Sequence, residues 1–145
     1  MNLLDFRVLT VRPPWSAFIA AGEKLAENRT WQTHHRGLIA IHAASAGDWN
    51  GFKHPAVTGA VKLAAMPWLD VKGAIVALAE LEDCHPFQAD CCTSPWTDRD
   101  GGVWHWQLAD VRPLPTPFYV KGRLGLWKPT MNTIERVSAQ FEVAR

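Results

Sequence analysis

The chain has 145 residues, a formal net charge of +1, a hydrophobic fraction of 48% and a charged fraction of 20%. These values are typical of one globular domain, which we expect to span residues 1–145, and they exclude an intrinsically disordered chain. The near-neutral charge also argues against a long nucleic-acid track, which normally needs many lysines and arginines. No apolar run approaches the roughly 20 residues that cross a bilayer, and the N-terminus lacks the basic region of a signal peptide. We therefore expect a cytoplasmic protein with no membrane partner.

The N-terminal third of the chain predicts strands separated by a short helix. Residues 6–11 are apolar and favour a strand, and Pro13-Pro14 suits the opening of a helix, where a missing N–H costs nothing. Gly22 is a natural end for that helix. An extended segment is expected over residues 29–33, and residues 37–43, rich in branched side chains, favour a second strand.

The middle of the chain alternates between helix-breaking and apolar segments. Residues 45–66 contain three glycines and a proline, so two short helices are expected, the second over residues 56–65. Residues 73–81 are almost continuously apolar and predict a central strand. The longest loop is expected over residues 84–101, and the alternation of residues 103–108 predicts a further strand.

The last part of the chain predicts a connection, a strand and a helix. Prolines at 113, 115 and 117 are expected to punctuate the connection, a short strand is expected over residues 124–127, and a C-terminal helix over about 132–144. Strands interrupted by helices without regular βαβ alternation indicate an α+β fold with a mixed or antiparallel sheet. A small curled sheet or barrel with flanking short helices fits this pattern.

The three cysteines, Cys84, Cys91 and Cys92, do not form a disulfide framework because their number is odd and two are adjacent. His85 adds a fourth metal-ligating side chain to the same segment. Zinc sites usually contain paired C-x-x-C or H-x-x-x-H spacings, and neither is present here. From spacing alone we therefore expect reduced thiols beside a loop, with no metal and no cofactor.

The segment richest in chemical groups is residues 22–31. Two acids, two bases and an amide fall between Glu23 and Arg29, next to segments that are expected to be firmly structured. Loops that place unlike charges between rigid elements are more often sites than spacers. This segment is therefore the first candidate for a functional site.

The order of the motifs around this segment resembles the ASCH domain family. The matching motifs are Arg12-Pro13-Pro14-Trp15, Gly22-x-Lys24-x-x-Glu27-Asn28-Arg29-x-Trp31, Arg36-Gly37 and Ile41-His42-Ala43. The resemblance implies a PUA-like β-barrel, a cleft lined by residues 24–29, and a partner that is RNA or a modified nucleoside or nucleotide. Some small family members are amidohydrolases that deacetylate N4-acetylcytidine, and others have been linked to RNA cleavage. In the amidohydrolases a threonine stands about where Glu27 stands here.

The residues expected to bind a ligand are basic, polar or aromatic. They are Arg12, Trp15, Lys24, Glu27, Asn28, Arg29, Trp31, His42, Trp104 and Lys121. Arginine offers forked donors for phosphate, and an acid with an amide can read the polar edge of a base. Trp31, and next Trp104, is expected to stack a base. Each also has a structural alternative, such as a surface ion pair between Glu27 and Arg29, a turn role for Asn28 or core packing for a tryptophan.

Three functions follow from these residues. The first is a binding module for a single base, which can be a modified one. The second is a hydrolase for a modified nucleoside or RNA, in which Lys24 polarises the electrophile and Glu27 or Glu80 activates water. The third is a protein-interaction domain, which requires an exposed apolar surface rich in tryptophan.

Overall fold

The structure is a computed structural model that describes residues 3–58 and 68–142. Its strands are β1 (Arg7–Val11), β2 (Ala26–Arg29), β3 (Gly37–Ala43), β4 (Ala74–Pro86), β5 (Trp104–Tyr119) and β6 (Leu126–Trp127). Its helices are α1 (Trp15–Ala20), a 3₁₀ helix (Trp49–Lys53), α2 (Pro55–Thr58) and α3 (Met131–Ala139). None of the helices in the described ranges is long and apolar enough to span a membrane.

All six strands belong to one sheet in the order β2-β5-β4-β3-β1-β6. β1 and β3 are parallel, whereas the other neighbouring pairs are antiparallel, so the sheet is mixed. The sheet curls into a half-barrel with few short helices around it. The predicted α+β class with a small curled mixed sheet is therefore confirmed.

The sheet is buried on both faces. Leu9 and Val11 of β1 pack with α1 and with Trp106 on one face, and Val8 packs with Val137 of α3 on the other. Residues 74–79 of β4 are buried without interruption, as expected for a strand covered on both sides. Each fully buried aliphatic side chain stabilises the fold by roughly 1.5–3 kcal/mol.

Most of the predicted elements are confirmed. β1 and β3 occupy the predicted segments, α1 follows the two prolines, and the apolar run at residues 73–81 forms the buried part of β4. Gly22 follows α1 with a φ of +77°, a conformation that glycine adopts without strain. The described part of the second predicted helix is α2, and residues 59–67 lie outside the described ranges.

The predicted extended segment at residues 29–33 was wrong, because β2 lies earlier, at Ala26–Arg29. Its position is set by pairing with β5, which places Glu27 opposite Trp106 and Arg29 opposite Trp104. This pairing involves residues about 80 positions apart along the chain. A tertiary contact therefore decides where this strand begins.

The sequence predicted a connection at the three prolines 113, 115 and 117. In the structure they lie within β5 instead. β2 pairs only with residues 104–107 of β5, so the rest of that edge has no neighbouring strand among the described residues. The register between β4 and β5 also shifts at three places. Edge positions and bulges are where a strand tolerates proline.

Three further boundaries differ from the prediction. β6 covers only Leu126–Trp127 of the predicted 124–127. β4 continues to Pro86, so the long loop comprises residues 87–103 rather than 84–101. α3 is shorter than the predicted 132–144: the Thr130 side chain accepts a hydrogen bond from the Thr133 N–H at its start, and the helix ends at Ala139. The terminal residues 143–145 are outside the described part of the chain.

Candidate functional site

Three charged side chains meet in a charge cluster made of Lys24, Glu27 and Arg29. The Lys24 ammonium donates to Glu27 Oε1 at 2.9 Å and to the carbonyl of Ala26. Arg29 Nε lies 3.0 Å from Glu27 Oε2, and Arg29 Nη2 donates to the Thr10 carbonyl at 2.6 Å. Lys24 is 2% exposed and Glu27 is 7% exposed. One buried carboxylate therefore bridges two cations. The structural alternative offered from the sequence, an ion pair between Glu27 and Arg29 on the surface, does not fit this buried carboxylate.

The charge cluster lines a cleft that consists of two adjoining chambers. The inner chamber has a volume of about 250 Å³ and the outer chamber about 380 Å³. Both are lined by Trp15, Glu27, Asn28 and Asp48. Pockets of this size hold a small molecule rather than a duplex.

The wall of the inner chamber is aromatic. Trp96 lies nearly parallel to His54, with ring centroids 6.4 Å apart, and Trp15 meets both rings edge-on. The Trp15 indole N–H donates to Asp48 Oδ2 at 3.0 Å, which holds that ring in place. The Lys24 ammonium is 5.9 Å from the centre of the Trp15 ring. A flat aromatic surface therefore stands next to a buried ammonium and a carboxylate.

Asn28 fastens the long loop to the cleft. Its amide NH₂ donates to the Trp96 carbonyl at 2.9 Å, and its amide oxygen accepts from the Asp98 N–H at 2.9 Å. Both ends of the side chain are thus engaged with backbone groups, instead of serving a turn. The side chain that was expected to read a base edge thus holds the loop segment that contains Trp96.

The cations of the cleft are unevenly distributed. Lys24 lines the inner chamber beside Glu27, whereas Arg12 and Arg123 are exposed and line the outer chamber with Arg29. Lys121, also expected to bind the ligand, is exposed but lines neither chamber. The exposed positive charge of the cleft is therefore concentrated in the outer chamber.

The two tryptophans that were expected to stack a base lie elsewhere. Trp31 packs edge-on against Trp106 at 4.7 Å, and its carbonyl accepts from the Trp106 indole N–H. Trp104 is half-buried against the same apolar cluster. The tryptophans of the cleft are Trp15, which the motif indicated, and Trp96, which sequence reasoning missed. Its only signal was an isolated indole in a polar loop.

The tryptophan-rich surface that a protein-interaction domain would need is not exposed. Seven of the eight tryptophans are buried or half-buried, and Trp49 alone, at 64%, is exposed. Trp49 stacks on Phe52 and has the Lys72 ammonium 5.0 Å from its ring. The third function is thus less well supported than the other two.

Glu80 is not brought into the cleft. It lies on β4, two strands away from Glu27, since β5 separates β2 from β4. Its neighbours Ala79 and Leu81 point into the cluster that contains Trp106, the residue opposite Glu27, so Glu80 faces the other side of the sheet. The structure therefore does not form the pair of carboxylates that hydrolysis with both acids would require.

His42 is a structural histidine in the core rather than a residue of the cleft. It is 1% exposed, its Nε2 lies 2.6 Å from the Val120 carbonyl, and its Nδ1 lies 3.3 Å from Thr10 Oγ1. Burial lowers the pKa of His42, although the bond to Val120 opposes this effect. The neutral ring is therefore the form that the core favours.

Replacing Gly122 by alanine should destabilise the fold by about 1–3 kcal/mol. A Cβ at Gly122 would stand 2.8 Å from His42 Cε1 and 3.0 Å from Thr10 Oγ1, so the buried ring would have to move. Denaturant unfolding measures the change. The matched control is Gly101→Ala, where a Cβ meets nothing within 4 Å. Equal stability of the two variants would contradict the described packing of His42.

The fold and the cleft together define a PUA-like α+β domain with a small-molecule-sized pocket at the edge of its sheet. The family model described as ASCH domain matches residues 9–116, and the chain therefore belongs to the ASCH domain family. The search of curated proteins gave no match.

Solved structures of an ASCH protein from Zymomonas mobilis are similar to this chain. The crystal structure of that protein has 15% identity and a TM-score of 0.55, covering 92% of this chain and 94% of the other. One mutant of the same protein has 14% identity and a TM-score of 0.55, covering 93% of this chain and 98% of the other. A second mutant has 15% identity and a TM-score of 0.54, covering 92% of this chain and 95% of the other. At this level of identity the likeness shows the fold, and it confirms the PUA-like expectation.

Proposed function

We propose that the cleft binds one nucleobase, either of RNA or of a free nucleoside or nucleotide, modified forms included. The supporting observation is the arrangement of an aromatic chamber above a buried charge cluster, with exposed arginines in the outer chamber. The family to which the chain belongs is PUA-like and often associated with RNA. The base would occupy the inner chamber, and its phosphate the outer one.

The polar groups of the inner chamber suit the edge of an amino-bearing base. A lysine ammonium has three donors, and two of those of Lys24 are engaged by Ala26 and Glu27. The third can donate to a ring nitrogen or carbonyl, while the remaining lone pairs of Glu27 accept from an exocyclic amine. Cytosine and adenine present both groups, so we expect them or their derivatives to bind better than uracil.

The outer chamber would recognise the phosphate. Arg12 and Arg123 are exposed there, and a guanidinium matches the geometry of a phosphate with two parallel donors. Two such contacts suit a single nucleotide or a short stretch of single-stranded RNA. The overall charge of +1 agrees with a local contact of this kind.

The test is a titration of nucleosides and their 5′-monophosphates, followed by the quenching of tryptophan fluorescence. Arg12→Ala and Arg123→Ala should each weaken binding of a monophosphate about tenfold, the equivalent of one charge-assisted hydrogen bond, and leave binding of the nucleoside nearly unchanged. Lys121→Ala is the matched control because this exposed cation lines neither chamber. An equal loss in all three variants would indicate unspecific attraction, and no response from wild type to any compound would refute the proposal.

Hydrolysis in the same cleft is the second candidate, and the 2.9 Å contact between Lys24 Nζ and Glu27 Oε1 favours it. Lys24 would polarise an amide carbonyl or a phosphate, and Glu27 would take a proton from the attacking water. Mass spectrometry of the same panel, N4-acetylcytidine and RNA included, would detect product. Product that wild type forms and Lys24→Ala does not would establish a hydrolase, whereas quenching without product would establish a binding module.

A further inference from the structure

A second cluster of reactive side chains lies where the long loop joins the sheet. His85, near the end of β4, stands directly opposite His105, near the start of β5. The loop between them turns back and places Cys91 and Cys92 beside the two imidazoles. The four ligand atoms lie within 4.8 Å of one another. None of the four residues lines either chamber of the cleft.

The distances within this cluster match the edges of a tetrahedral metal site. His85 Nε2 lies 3.2 Å from Cys92 Sγ, and His105 Nδ1 lies 3.5 Å from Cys92 Sγ and 3.6 Å from Cys91 Sγ. Zinc binds sulfur at about 2.3 Å and nitrogen at about 2.0–2.1 Å, so sulfur and nitrogen ligands of one tetrahedral ion stand roughly 3.6 Å apart. An ion therefore fits among these atoms with small adjustments.

The far nitrogen of each histidine is engaged by an oxygen acceptor. His85 Nδ1 lies 2.8 Å from Asp83 Oδ2, and His105 Nε2 lies 2.7 Å from the Asp98 carbonyl. In the neutral tautomer that these acceptors favour, the proton is on the far nitrogen and the lone pair of the near nitrogen points at the sulfurs. Carboxylate and carbonyl acceptors of this kind are the usual outer partners of metal-binding histidines.

We propose that His85, Cys91, Cys92 and His105 form a structural zinc site. Two thiolates and two imidazoles in a tetrahedral arrangement are the donor set that zinc prefers, and four protein ligands leave no open position for catalysis. The ligand set differs from the combination of three cysteines and His85, which the spacings in the sequence did not favour. Cys84 is not part of it, and the fourth ligand, His105, comes from the opposite strand of the hairpin.

The zinc site would also order a wall of the cleft. The loop that it closes contains Trp96, and the Asp98 carbonyl that accepts from His105 belongs to the residue whose N–H donates to Asn28. One ion would thus hold the loop at its base while Asn28 holds it at the cleft. Zinc binding itself does not depend on which ligand the cleft accepts, so it is tested separately.

The test is a titration of reduced, metal-free full-length protein with Co²⁺ and then with Zn²⁺. We expect one Co²⁺ per chain, with the charge-transfer absorbance of thiolate ligation and the visible bands of a tetrahedral ion, and full displacement by Zn²⁺. Cys92→Ser should lose this binding, and Asp83→Asn should weaken it about 10–100-fold. Cys84→Ser is the matched control and should bind as wild type does.

Two results would overturn the proposal. The first is the absence of stoichiometric binding by reduced wild type, which is decisive even if a variant fails to fold. The second is an equal loss of Co²⁺ binding in Cys84→Ser and Cys92→Ser, both folded by circular dichroism, which would place the metal elsewhere. A chelator should also lower the melting temperature of zinc-loaded wild type and leave that of Cys92→Ser unchanged.

Discussion

Replacing Glu27 by alanine should lower the free energy of unfolding by about 3–5 kcal/mol. The carboxylate is the shared partner of Lys24 and Arg29, and Lys24 is 2% exposed, so its ammonium would remain buried without a counter-charge. Arg29 would lose less, because its side chain is 23% exposed and also donates to the Thr10 carbonyl. Denaturant unfolding monitored by circular dichroism measures the change.

The control and a double variant make this result specific. Glu23→Ala removes an exposed acid from the same turn and should change stability by less than about 0.5 kcal/mol. Lys24→Met combined with Glu27→Leu removes both of these charges. The double variant should lose less free energy of unfolding than Lys24→Met and Glu27→Leu lose in sum, because neither ion then has to be desolvated. A Glu27→Ala variant as stable as Glu23→Ala would contradict the buried charge cluster.

Replacing Trp96 by leucine should weaken the binding of a nucleoside roughly tenfold to a hundredfold. The indole forms the wall of the inner chamber beside His54, and a stacked base is worth about 1–3 kcal/mol. Because Trp96 is half-buried at the surface and belongs to a loop, the fold should survive the change. The dissociation constant is measured by calorimetry, since the substitution alters the fluorescence.

Trp31→Leu is the comparison variant, because the sequence predicted that Trp31 stacks the base whereas the structure places Trp96 in the inner chamber. Trp31 was the first choice for stacking, yet it packs on Trp106 and lines neither chamber. We expect Trp31→Leu to reduce stability and to leave the affinity of the folded protein unchanged. Binding that is lost in Trp31→Leu and kept in Trp96→Leu would place the base against Trp31 instead of Trp96.

Several features of the protein followed from local sequence. The strands at residues 6–11 and 37–43 and the buried part of β4 were evident as apolar runs, because a strand covered on both faces needs apolar residues at every position. The members of the charge cluster, Lys24, Glu27 and Arg29, were named as site candidates because they lie close together in the chain and within a motif of the family, but their burial and shared contact were not predicted. Short separations leave few alternative arrangements, so the membership of such groups is predictable.

Other features depended on contacts between residues far apart in the chain. The pairing of β2 with β5 moved the strand to Ala26–Arg29, and the open edge of β5 accommodated prolines that were expected to end it. Trp96 comes from the long loop, and its carbonyl accepts from Asn28, 68 positions earlier, beside the cleft. A periodic pattern records which residues are buried but not which distant segment buries them.

In the two candidate sites, too, some features followed from local sequence and others only from contacts between distant segments. The sequence alone determined that residues 24–29 combine unlike charges in one short segment, and hence that a site was to be sought there. Only the tertiary structure decided that this site has an aromatic wall, that Glu80 faces away from it, and that His105 joins His85 and the two cysteines. The physical reason is that ligand geometry is set by strand register and loop closure, which place side chains from distant segments within a few ångströms of one another.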